Sequence, residues 1–540
     1  TKCQIMITRT CLERQRLGNQ LFIYASLWGI GLKNNEYVFL EKEWKYKDYF
    51  YASVPIVPLT YGFCNWEEKS FEYEDIIFSK NMHDCVISGY RQSYKYWENK
   101  TINIEGKVVP FDIKNTVLKF KQEYIDKADK ILSFIPYKKK IAIHIRRGDY
   151  VDNPNYVLLP PIYYIKALID NFPDWRDYGI MIFSDDIPYC RVHFGCLDNV
   201  YFADGNSDIE DLILMTKCDH FIISNSSYSW WGAYLGEKKD SIVVRPKHHF
   251  AGKLLETHDI KDLYPEHWKV HDHLESKLDL SDTTIVIPVK YDHEHRKKNL
   301  DLIVCMLQKD YNVNIVVGEQ AYSPLGLYCF QFSYMMDFGC RYDQFAKNIF
   351  HRTYMLNAMI KREYTKDIVI NYDADVIIPP MQMYLAVEAI RNGYDMIYPY
   401  SGVFARMERN KWFSIIEKYL DIGFVKNEIL DGMKPSDVNN SVGGCVLFNK
   451  NSFLEGGGEN EQFISFGHED CEREYRFRVL GYKIKRTKGN LYHMNHFTGP
   501  DSSTKNPYWK KNRELWNKIK QMSKQELLEY IKQKFTWKTK

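Results

Sequence analysis

Residues 138–150 read KKKIAIHIRRGDY, a short apolar run that passes directly into charged residues and a glycine. Runs of this kind are typical of strands buried in parallel sheets, where helices cover both faces. Similar runs recur along the chain and are separated by segments long enough for helices. They are GIMIFSDD (179–186), HFIISNSS (220–227), SIVVRP (241–246), TTIVIPV (283–289), NIVVGE (314–319), DIVINYDAD (367–375) and DMIYPY (395–400). The alternation predicts an α/β protein with parallel sheets throughout.

Length and composition exclude several classes of protein. The 540 residues predict three to four structural units, at roughly 150 residues per domain. Hydrophobic residues make up 45% and charged residues 26%, which excludes a disordered chain. The 73 Lys and Arg against 70 Asp and Glu leave a net charge of +3, too balanced for a nucleic-acid-binding protein. The 12 cysteines include no C-x-x-C pair, which indicates reduced thiols.

One segment indicates a domain boundary. Between Glu266 and Thr283 the sequence EHWKVHDHLESKLDLSDT has no strand pattern and is rich in charge and histidine. Upstream of it lie enough β-runs for two nucleotide-binding-like lobes, and downstream a fresh α/β unit begins. The expected domains are 1–278, with lobes at about 1–137 and 138–278, and 279–540.

Nothing in the sequence resembles a membrane span. No stretch approaches the roughly 20 apolar residues that cross a bilayer, and the first residues lack the apolar core of a signal peptide. We therefore expect a cytoplasmic protein. Residues 505–540 carry 11 Lys and Arg against 3 Glu on a helical pattern. This tail is expected to pack an apolar face on the core, and a peripheral membrane helix is the alternative.

The run IHIRRGDY places a charged cluster at the carboxyl end of a predicted strand. Its members are His144, Arg146, Arg147 and Asp149. Doubly wound sheets bind ligands at this edge. Paired arginines there hold a diphosphate through charge-assisted hydrogen bonds and compensate the charge of a departing nucleoside diphosphate. A surface Arg–Asp turn is the alternative interpretation.

Two further segments have the composition of anion-binding turns. Gly18, Asn19 and Gln20 lie at a predicted strand-to-helix turn, where helix N-terminal amides face a ligand. The segment Ser224–Ser229 follows a strand and precedes a helix that we expect to open at Trp230. In isolation, each segment is also explained by a helix cap followed by core residues.

Five motifs together resemble the α-1,2-fucosyltransferases of glycosyltransferase family 11, over about residues 4–265. They are LGNQLFIYA, GYRQSYKYW, IHIRRGDY, FSDD and SNSSYSWWGAYL. The resemblance implies a GT-B-like pair of Rossmann-like lobes, GDP-fucose as donor, inversion at the anomeric carbon of fucose and no cofactor in this half. It also implies that Arg146 and Arg147 hold the GDP diphosphate. The residues it assigns to the donor pocket are Gly18, Asn19, Gln20, Ser224, Asn225, Ser226 and Ser227.

An inverting transfer needs a base that takes the proton of the attacking hydroxyl. The candidates near the predicted strand ends are Asp149, His144, Asp185 and Asp186. The sequence does not choose among them, and Asp149 is the working hypothesis.

The second half contains a candidate metal site. Asp373 and Asp375 end a predicted strand, and His493 and His496 lie three residues apart further along the chain. Carboxylates bridge divalent cations to phosphates, and imidazole beside carboxylate suits Mn²⁺ better than Mg²⁺. Surface histidines near a strand end are the alternative.

Glycines and adjacent carboxylates lie between these two groups. Gly443 and Gly444 are expected to admit a sugar against bare backbone. Glu469 and Asp470 are expected to open a helix after a glycine turn at Gly467. Carboxylates at a helix start are often simple caps, but here they accompany metal-type residues, which favours a catalytic base.

The series IPVK, VVGEQ, Asp-Ala-Asp, VGGCVLF, SFGHEDCE and HMNH resembles the GT-A domain of β-1,4-galactosyltransferases and their bacterial family 2 relatives. The resemblance implies a UDP-sugar donor and inversion with Asp470 as base and Glu469 holding an acceptor hydroxyl. Asp373 and Lys290 would lie near the uridine. The implied ligands of Mn²⁺ (or Mg²⁺) are Asp375, His493 and His496, with His493 in place of a methionine.

The two resemblances predict a bifunctional glycosyltransferase. Its expected partners are GDP-fucose, UDP-galactose or UDP-N-acetylgalactosamine, and a glycan acceptor, without nucleic acid. A glycan-binding scaffold with one or both transferase domains inactive is the alternative.

Overall fold

The chain divides into two compact units, each of the α/β class. The first comprises Thr1–Ile187 and Asn199–Glu275, and the second comprises Pro188–Asp198 and Ser276–Lys540. The computed structural model describes residues 6–9, 15–52, 54–57, 64–78, 84–104, 107–290, 293–320, 335–336, 350–425, 440–497, 499 and 503–535.

The first lobe of the first unit contains a parallel sheet. Its four strands are β1 (Met6–Arg9), β2 (Tyr37–Leu40), β3 (Cys64–Trp66) and β4 (Cys85–Ile87). They lie in the order β2-β1-β4-β3. An antiparallel pair and two helices accompany this sheet, namely β5 (Thr101–Ile104), β6 (Lys107–Pro110), α1 (Leu17–Asn34) and α2 (Gln122–Ser133).

The second lobe is built on a wholly parallel sheet of six strands, β7 (Lys140–Ile145), β8 (Gly179–Ser184), β9 (Val200–Phe202), β10 (His220–Ile222), β11 (Val243–Pro246) and β12 (Lys269–His271). Their order is β12-β11-β10-β7-β8-β9, so β7 lies in the interior of the sheet. The helices of this lobe are α3 (Pro161–Asn171), α5 (Asp208–Thr216), α6 (Ser227–Gly236) and α7 (Gly252–Thr257), whereas α4 (Ile187–Phe194) belongs to the second unit from Pro188 onwards. Residues 141–145 of β7 are all buried, which explains its continuous apolar run.

Aromatic side chains join α1 to α6 in the core of the first unit. The rings of Phe22 and Trp230 lie 4.6 Å apart, and Trp97 stacks on Trp231 at 5.3 Å. Helix α6 begins at Ser227, three residues before the predicted start at Trp230, because the Ser226 hydroxyl caps it by accepting a hydrogen bond from the Tyr228 amide.

The second unit is also α/β. Its strands are β13 (Leu278–Lys290), β14 (Tyr311–Gln320), β15 (Met335–Met336), β16 (Ile368–Tyr372), β17 (Val376–Ile377), β18 (Met396–Tyr398), β19 (Phe404–Met407), β20 (Cys445–Asn449), β21 (Ile484–Arg486) and β22 (Leu491–Met494). Its helices are α8 (Glu294–Asp310), α9 (Arg352–Ile360), α10 (Pro380–Arg391), α11 (Arg409–Tyr419), α12 (Lys450–Glu455), α13 (Glu469–Leu480), α14 (Trp509–Ile519) and α15 (Lys524–Lys534). One sheet has the order β15-β14-β13-β16-β20-β18-β21, and a smaller one has the order β17-β22-β19.

Two expectations about strands are wrong. The sheets are not parallel throughout, because β20 runs antiparallel to both β16 and β18. The segment 266–283 is not free of strands, since it contains β12 and the beginning of β13. In β13, the buried Leu278 and Leu280 alternate with the exposed Asp279 and Ser281. This alternation of apolar and polar residues is typical of a strand and was present in the sequence.

The basic tail folds as α14 and α15. Ile519 and Leu527 are buried in an apolar cluster with Phe463, as expected for a terminal helix that packs on the core. The last residues of the tail, 536–540, lie outside the described residues. In the described part of the chain, no helix combines the length and apolar character needed to cross a membrane.

Close packing of α1 predicts the effect of two glycine substitutions. In Gly29→Ala the new Cβ would overlap the Tyr96 carbonyl oxygen, whereas in Gly31→Ala it would meet first the Val38 side chain, which can move. Gly29→Ala should therefore lower the free energy of unfolding by about 1–3 kcal/mol, and Gly31→Ala by less. Chemical denaturation measures both, and equal stability of the two variants would contradict this packing.

Candidate functional site

A cavity of about 670 Å³ lies in the first unit. It is lined by residues that follow β7, β8 and β10 and by the first turns of α1 and α6. Nine predicted site residues line it, namely Gly18, Asn19, Gln20, His144, Arg146, Asp149, Asp185, Ser226 and Ser227. Four others do not line it, namely Arg147, Asp186, Ser224 and Asn225.

The start of α1 is tied to the start of α6 inside this cavity. The Asn19 side-chain oxygen accepts hydrogen bonds from the Ser227 hydroxyl at 2.7 Å and from the Gln92 amide at 2.8 Å. A Cβ on Gly18 would lie 2.6 Å from the Ser227 carbonyl carbon, so only glycine permits this approach. Two helix N-termini, which favour anions, therefore meet at one wall.

The two predicted arginines have different surroundings. Arg146 reaches the cavity and pairs with Asp149 and, at 2.5 Å, with Asp185. Arg147 is 2% exposed, and its Nε lies 3.8 Å from a carboxylate oxygen of Asp186. Arg146 is therefore placed to contact an anion in the cavity, whereas Arg147 is placed to support the turn.

Burial distinguishes the candidate bases. The His144 Nδ1 lies 2.9 Å from the Ser224 hydroxyl, and burial lowers the pKa of His144 to about 4 despite the charge of Asp185. The imidazole is therefore neutral near pH 7, and its Nδ1 is already engaged by the Ser224 hydroxyl. Asp149 is 48% exposed and lines the cavity, so its carboxylate is the more accessible group.

A second cavity, of about 610 Å³, lies in the second unit. Seven predicted residues line it, namely Lys290, Asp373, Asp375, Glu469, Asp470, His493 and His496. Gly443 and Gly444 do not line it. A Cβ on Gly443 would lie 2.7 Å from a carboxylate oxygen of Asp470, so this glycine makes room for Asp470 rather than for a ligand at the cavity wall.

Three side chains converge as a metal-binding group would. Asp375 lies just before β17, His493 lies on β22 opposite Val376, and one ligand atom from each of Asp375, His493 and His496 lies within 4.8 Å of the others. The His496 Nε2 is 3.0 Å from an Asp375 oxygen. Burial alone raises the pKa of Asp375, but the His493 and His496 rings outweigh it and lower that pKa to about 2. A carboxylate with two imidazoles fits a divalent transition metal.

Asp470 lies at the start of α13, after Gly467, whose φ is 116°. Its Oδ1 accepts hydrogen bonds from Arg352 at 3.3 Å and from Arg473 at 2.8 Å. Burial opposes ionisation, yet these two guanidinium groups lower the pKa of Asp470 below its usual value. The carboxylate is therefore ionised at neutral pH. Burial and the charge of Asp470 together raise the pKa of the adjacent Glu469 to about 7.

Three arginines that line this cavity were not predicted from the sequence, namely Arg296, Arg352 and Arg406. Arg352 donates to Asp373 through Nη2 at 2.8 Å as well as to Asp470. Arg352 is the first residue of α9, and a cation at a helix N-terminus is unfavourable unless carboxylates pair with it. An arginine at this position was therefore the feature of the sequence that could have indicated its role. Arg406 lies opposite His493 in the β19–β22 pair, which only the fold reveals.

Two family models match the chain. Residues 54–271 match the model described as glycosyl transferase family 11, and residues 429–498 match the model described as the N-terminal domain of galactosyltransferase. The catalytic domain of Drosophila beta-1,4-galactosyltransferase 7, solved with xylobiose, is similar with a TM-score of 0.24 and 15% identity. That match covers 39% of this chain and 64% of the other.

Two relatives from Escherichia coli match in sequence. The O-antigen biosynthesis glycosyltransferase WbnK is 41% identical over 131 residues, which are 22% of this chain and 43% of that protein. This chain thus spans less than half the length of that relative. An alpha-1,2-colitosyltransferase is 31% identical over 208 residues, which are 37% of this chain and 68% of that protein. The chain therefore belongs to glycosyltransferase family 11 and carries a second, galactosyltransferase-like domain.

Proposed function

We propose that the chain catalyses two independent glycosyl transfers. The first unit transfers fucose from GDP-fucose to galactose in an α-1,2 linkage without a metal. The second transfers galactose or N-acetylgalactosamine from a UDP-sugar with a metal. The observation that carries this proposal is that each unit has its own cavity, and that the metal-type group Asp375, His493 and His496 lines the second one.

In the first unit, the helix N-termini at Gly18 and Ser227 and the Arg146 guanidinium would hold the GDP diphosphate. The acceptor hydroxyl attacks the anomeric carbon, its proton passes to Asp149, and the bond to the GDP oxygen breaks. Arg146 compensates the charge that builds on the departing diphosphate. Colitose is a second candidate sugar for this cavity, because an alpha-1,2-colitosyltransferase is 31% identical over 208 residues.

In the second unit, Asp375, His493 and His496 would hold Mn²⁺ or Mg²⁺, which neutralises negative charge on the UDP diphosphate when bound. Lys290 and Asp373 would bind the uridine. Asp470 takes the proton of the acceptor hydroxyl as that oxygen attacks the sugar, while Glu469 orients the hydroxyl. Arg352 keeps Asp470 ionised and fixes its position against Asp373.

The two transfers form a chemical sequence. A β-galactose added by the second unit is the kind of acceptor that α-1,2-fucosylation uses, and tethering raises the local concentration of the intermediate. We place this activity in the cytoplasm, with the tail packed on the core of the second unit, and a peripheral membrane contact through the tail is the alternative. A glycan-binding scaffold without transferase activity is the alternative, and release of GDP and UDP from the sugar nucleotides distinguishes the two.

Arg146→Ala tests the first site. Removing the cation that faces the diphosphate should lower kcat/KM with GDP-fucose by about 10²- to 10³-fold. UDP-sugar transfer should be unchanged, because Arg146 belongs to the other unit. Arg176→Ala, at an exposed position that does not line the cavity, is the matched control. Parallel loss of both activities in folded protein would show that the sites depend on each other.

Metal removal tests the second site. EDTA should abolish UDP-sugar transfer and leave fucosyl transfer intact, and Mn²⁺ should restore the former. His496→Ala should weaken Mn²⁺ binding by about 10- to 100-fold, measured by metal titration. Fucosyl transfer that also requires Mn²⁺ would overturn the assignment.

Asp470→Asn tests the base. The substitution keeps the size of the side chain and removes its basicity, so kcat of UDP-sugar transfer should fall by about 10²-fold or more with little change in UDP-sugar affinity. Glu474→Gln, one turn along α13 and away from the cavity, is the matched control. A near-native kcat would indicate that Glu469 is the base instead of Asp470. Glu472 is not a candidate, because it is fully buried and pairs with Arg476.

A further inference from the structure

Apart from the hydrogen bond of Gln92 to Asn19, the motif GYRQSYKYW at 89–97 has no role in the transfers described so far. The structure shows that it presents one aromatic ring to the cavity of the first unit. Tyr90 lines this cavity and is 40% exposed, whereas Arg91, next to it, is 1% exposed. An exposed aromatic side chain on a firmly anchored backbone is typical of a binding surface.

The backbone around Tyr90 is unusual and strongly held. Gly89 has a φ of 94° and Arg91 a φ of 52°, and the latter is uncommon for a residue with a side chain. The Glu68 carboxylate accepts hydrogen bonds from the amides of Tyr90 at 2.7 Å and Arg91 at 2.8 Å. The buried Arg91 guanidinium pairs with Glu74 at 3.1 Å. Strained backbone persists where surrounding contacts impose it, and such places cluster at functional sites.

A second tyrosine in the same cavity comes from the other lobe of the unit. Tyr156 lines the cavity and stacks on Tyr150 with ring centroids 4.4 Å apart and planes 20° apart. Burial raises the pKa of Tyr156, and the neighbouring Tyr90 and Asp149 raise it further. Tyr90, Asp149 and Tyr156 all line this one cavity.

The tyrosine pair suits a neutral sugar ring better than it suits the diphosphate of the donor. In the proposed transfer, Arg146 and the helix N-termini bind the diphosphate of the donor. Phenol side chains carry no charge near pH 7 and are therefore not needed for that anion. A pyranose ring has an apolar C–H face that packs on an aromatic ring and hydroxyl groups at its edge that accept and donate hydrogen bonds. Tyrosine offers an apolar body and a polar tip to such a ring.

We propose that Tyr90 and Tyr156 form a stacking platform that binds the pyranose ring of the acceptor glycan and directs a ring hydroxyl towards Asp149. This inference rests on the proposed fucosyl transfer of the first unit. It assigns the motif at 89–97 to acceptor recognition, with Arg91 and Glu68 as positioning residues for Tyr90.

Steady-state kinetics of the full chain, with GDP-fucose and a β-galactoside varied in turn, test the platform. Tyr90→Leu and Tyr156→Leu should each raise KM for the acceptor by about tenfold, with a clearly smaller change in KM for GDP-fucose. Tyr90→Phe keeps the ring and should restore most of the acceptor affinity. Tyr37→Leu, at a 62% exposed position outside the cavity, is the matched control and should change neither constant.

The possible outcomes distinguish a failure of the platform proposal from a failure of the proposed fucosyl transfer. Unchanged acceptor KM in both leucine variants, with thermal unfolding like that of the wild type, would overturn the platform. A wild-type protein that never consumes GDP-fucose would overturn the proposed transfer. In that case saturation-transfer NMR with methyl β-galactoside still tests the platform, because the signal should appear with wild type and Tyr37→Leu and be lost in Tyr90→Leu. A signal retained in Tyr90→Leu would overturn the platform.

Discussion

Parallel pairing brings the carboxyl ends of neighbouring strands to one edge of a sheet, and both cavities depend on this constraint. In the first unit, His144 on β7 and Ser226 after β10 reach the same cavity, although 82 residues separate them in the sequence. In the second unit, Lys290 at the end of β13 and Asp373 after β16 meet in the same way. The chemistry of each unit is thus concentrated where adjacent strands end.

Buried charge gives the second site its rigidity. Arg352 joins Asp373 to Asp470, and Arg473 joins Asp470 to Glu459, so five charged side chains form a continuous chain of ion pairs. Removing one member of such a chain leaves an uncompensated buried charge, which typically costs about 3–5 kcal/mol. Such a network holds the proposed base in one position relative to Asp373, which lies two residues before Asp375 of the candidate metal group. These ion pairs are present without substrate, as expected of a site that is organised before substrate binds.

The sequence predicted the α/β class and the strands with continuous apolar runs, such as β7 and β16, because burial on both faces leaves a strong local signal. It did not predict the short strands β19 and β22, whose existence depends on pairing with each other. Several candidate residues that follow an apolar run, such as Arg146 and Asp375, line the cavities, whereas Ser224 and Asn225 follow such a run and do not. Arg352 and Arg406 were missed because their roles depend on distant partners, and Arg147 was expected in the cavity although its side chain is buried.

The proposed pair of transfers requires two independent nucleotide sites in one chain, of which only the second needs a metal. Isothermal titration calorimetry of the metal-free protein with GDP, and then with UDP before and after Mn²⁺ is added, tests it most directly. We expect GDP to bind without metal and UDP to bind tightly only with Mn²⁺, and saturation with one nucleotide should leave the affinity for the other unchanged. Competition between GDP and UDP for one site, or GDP binding that requires Mn²⁺, would contradict it.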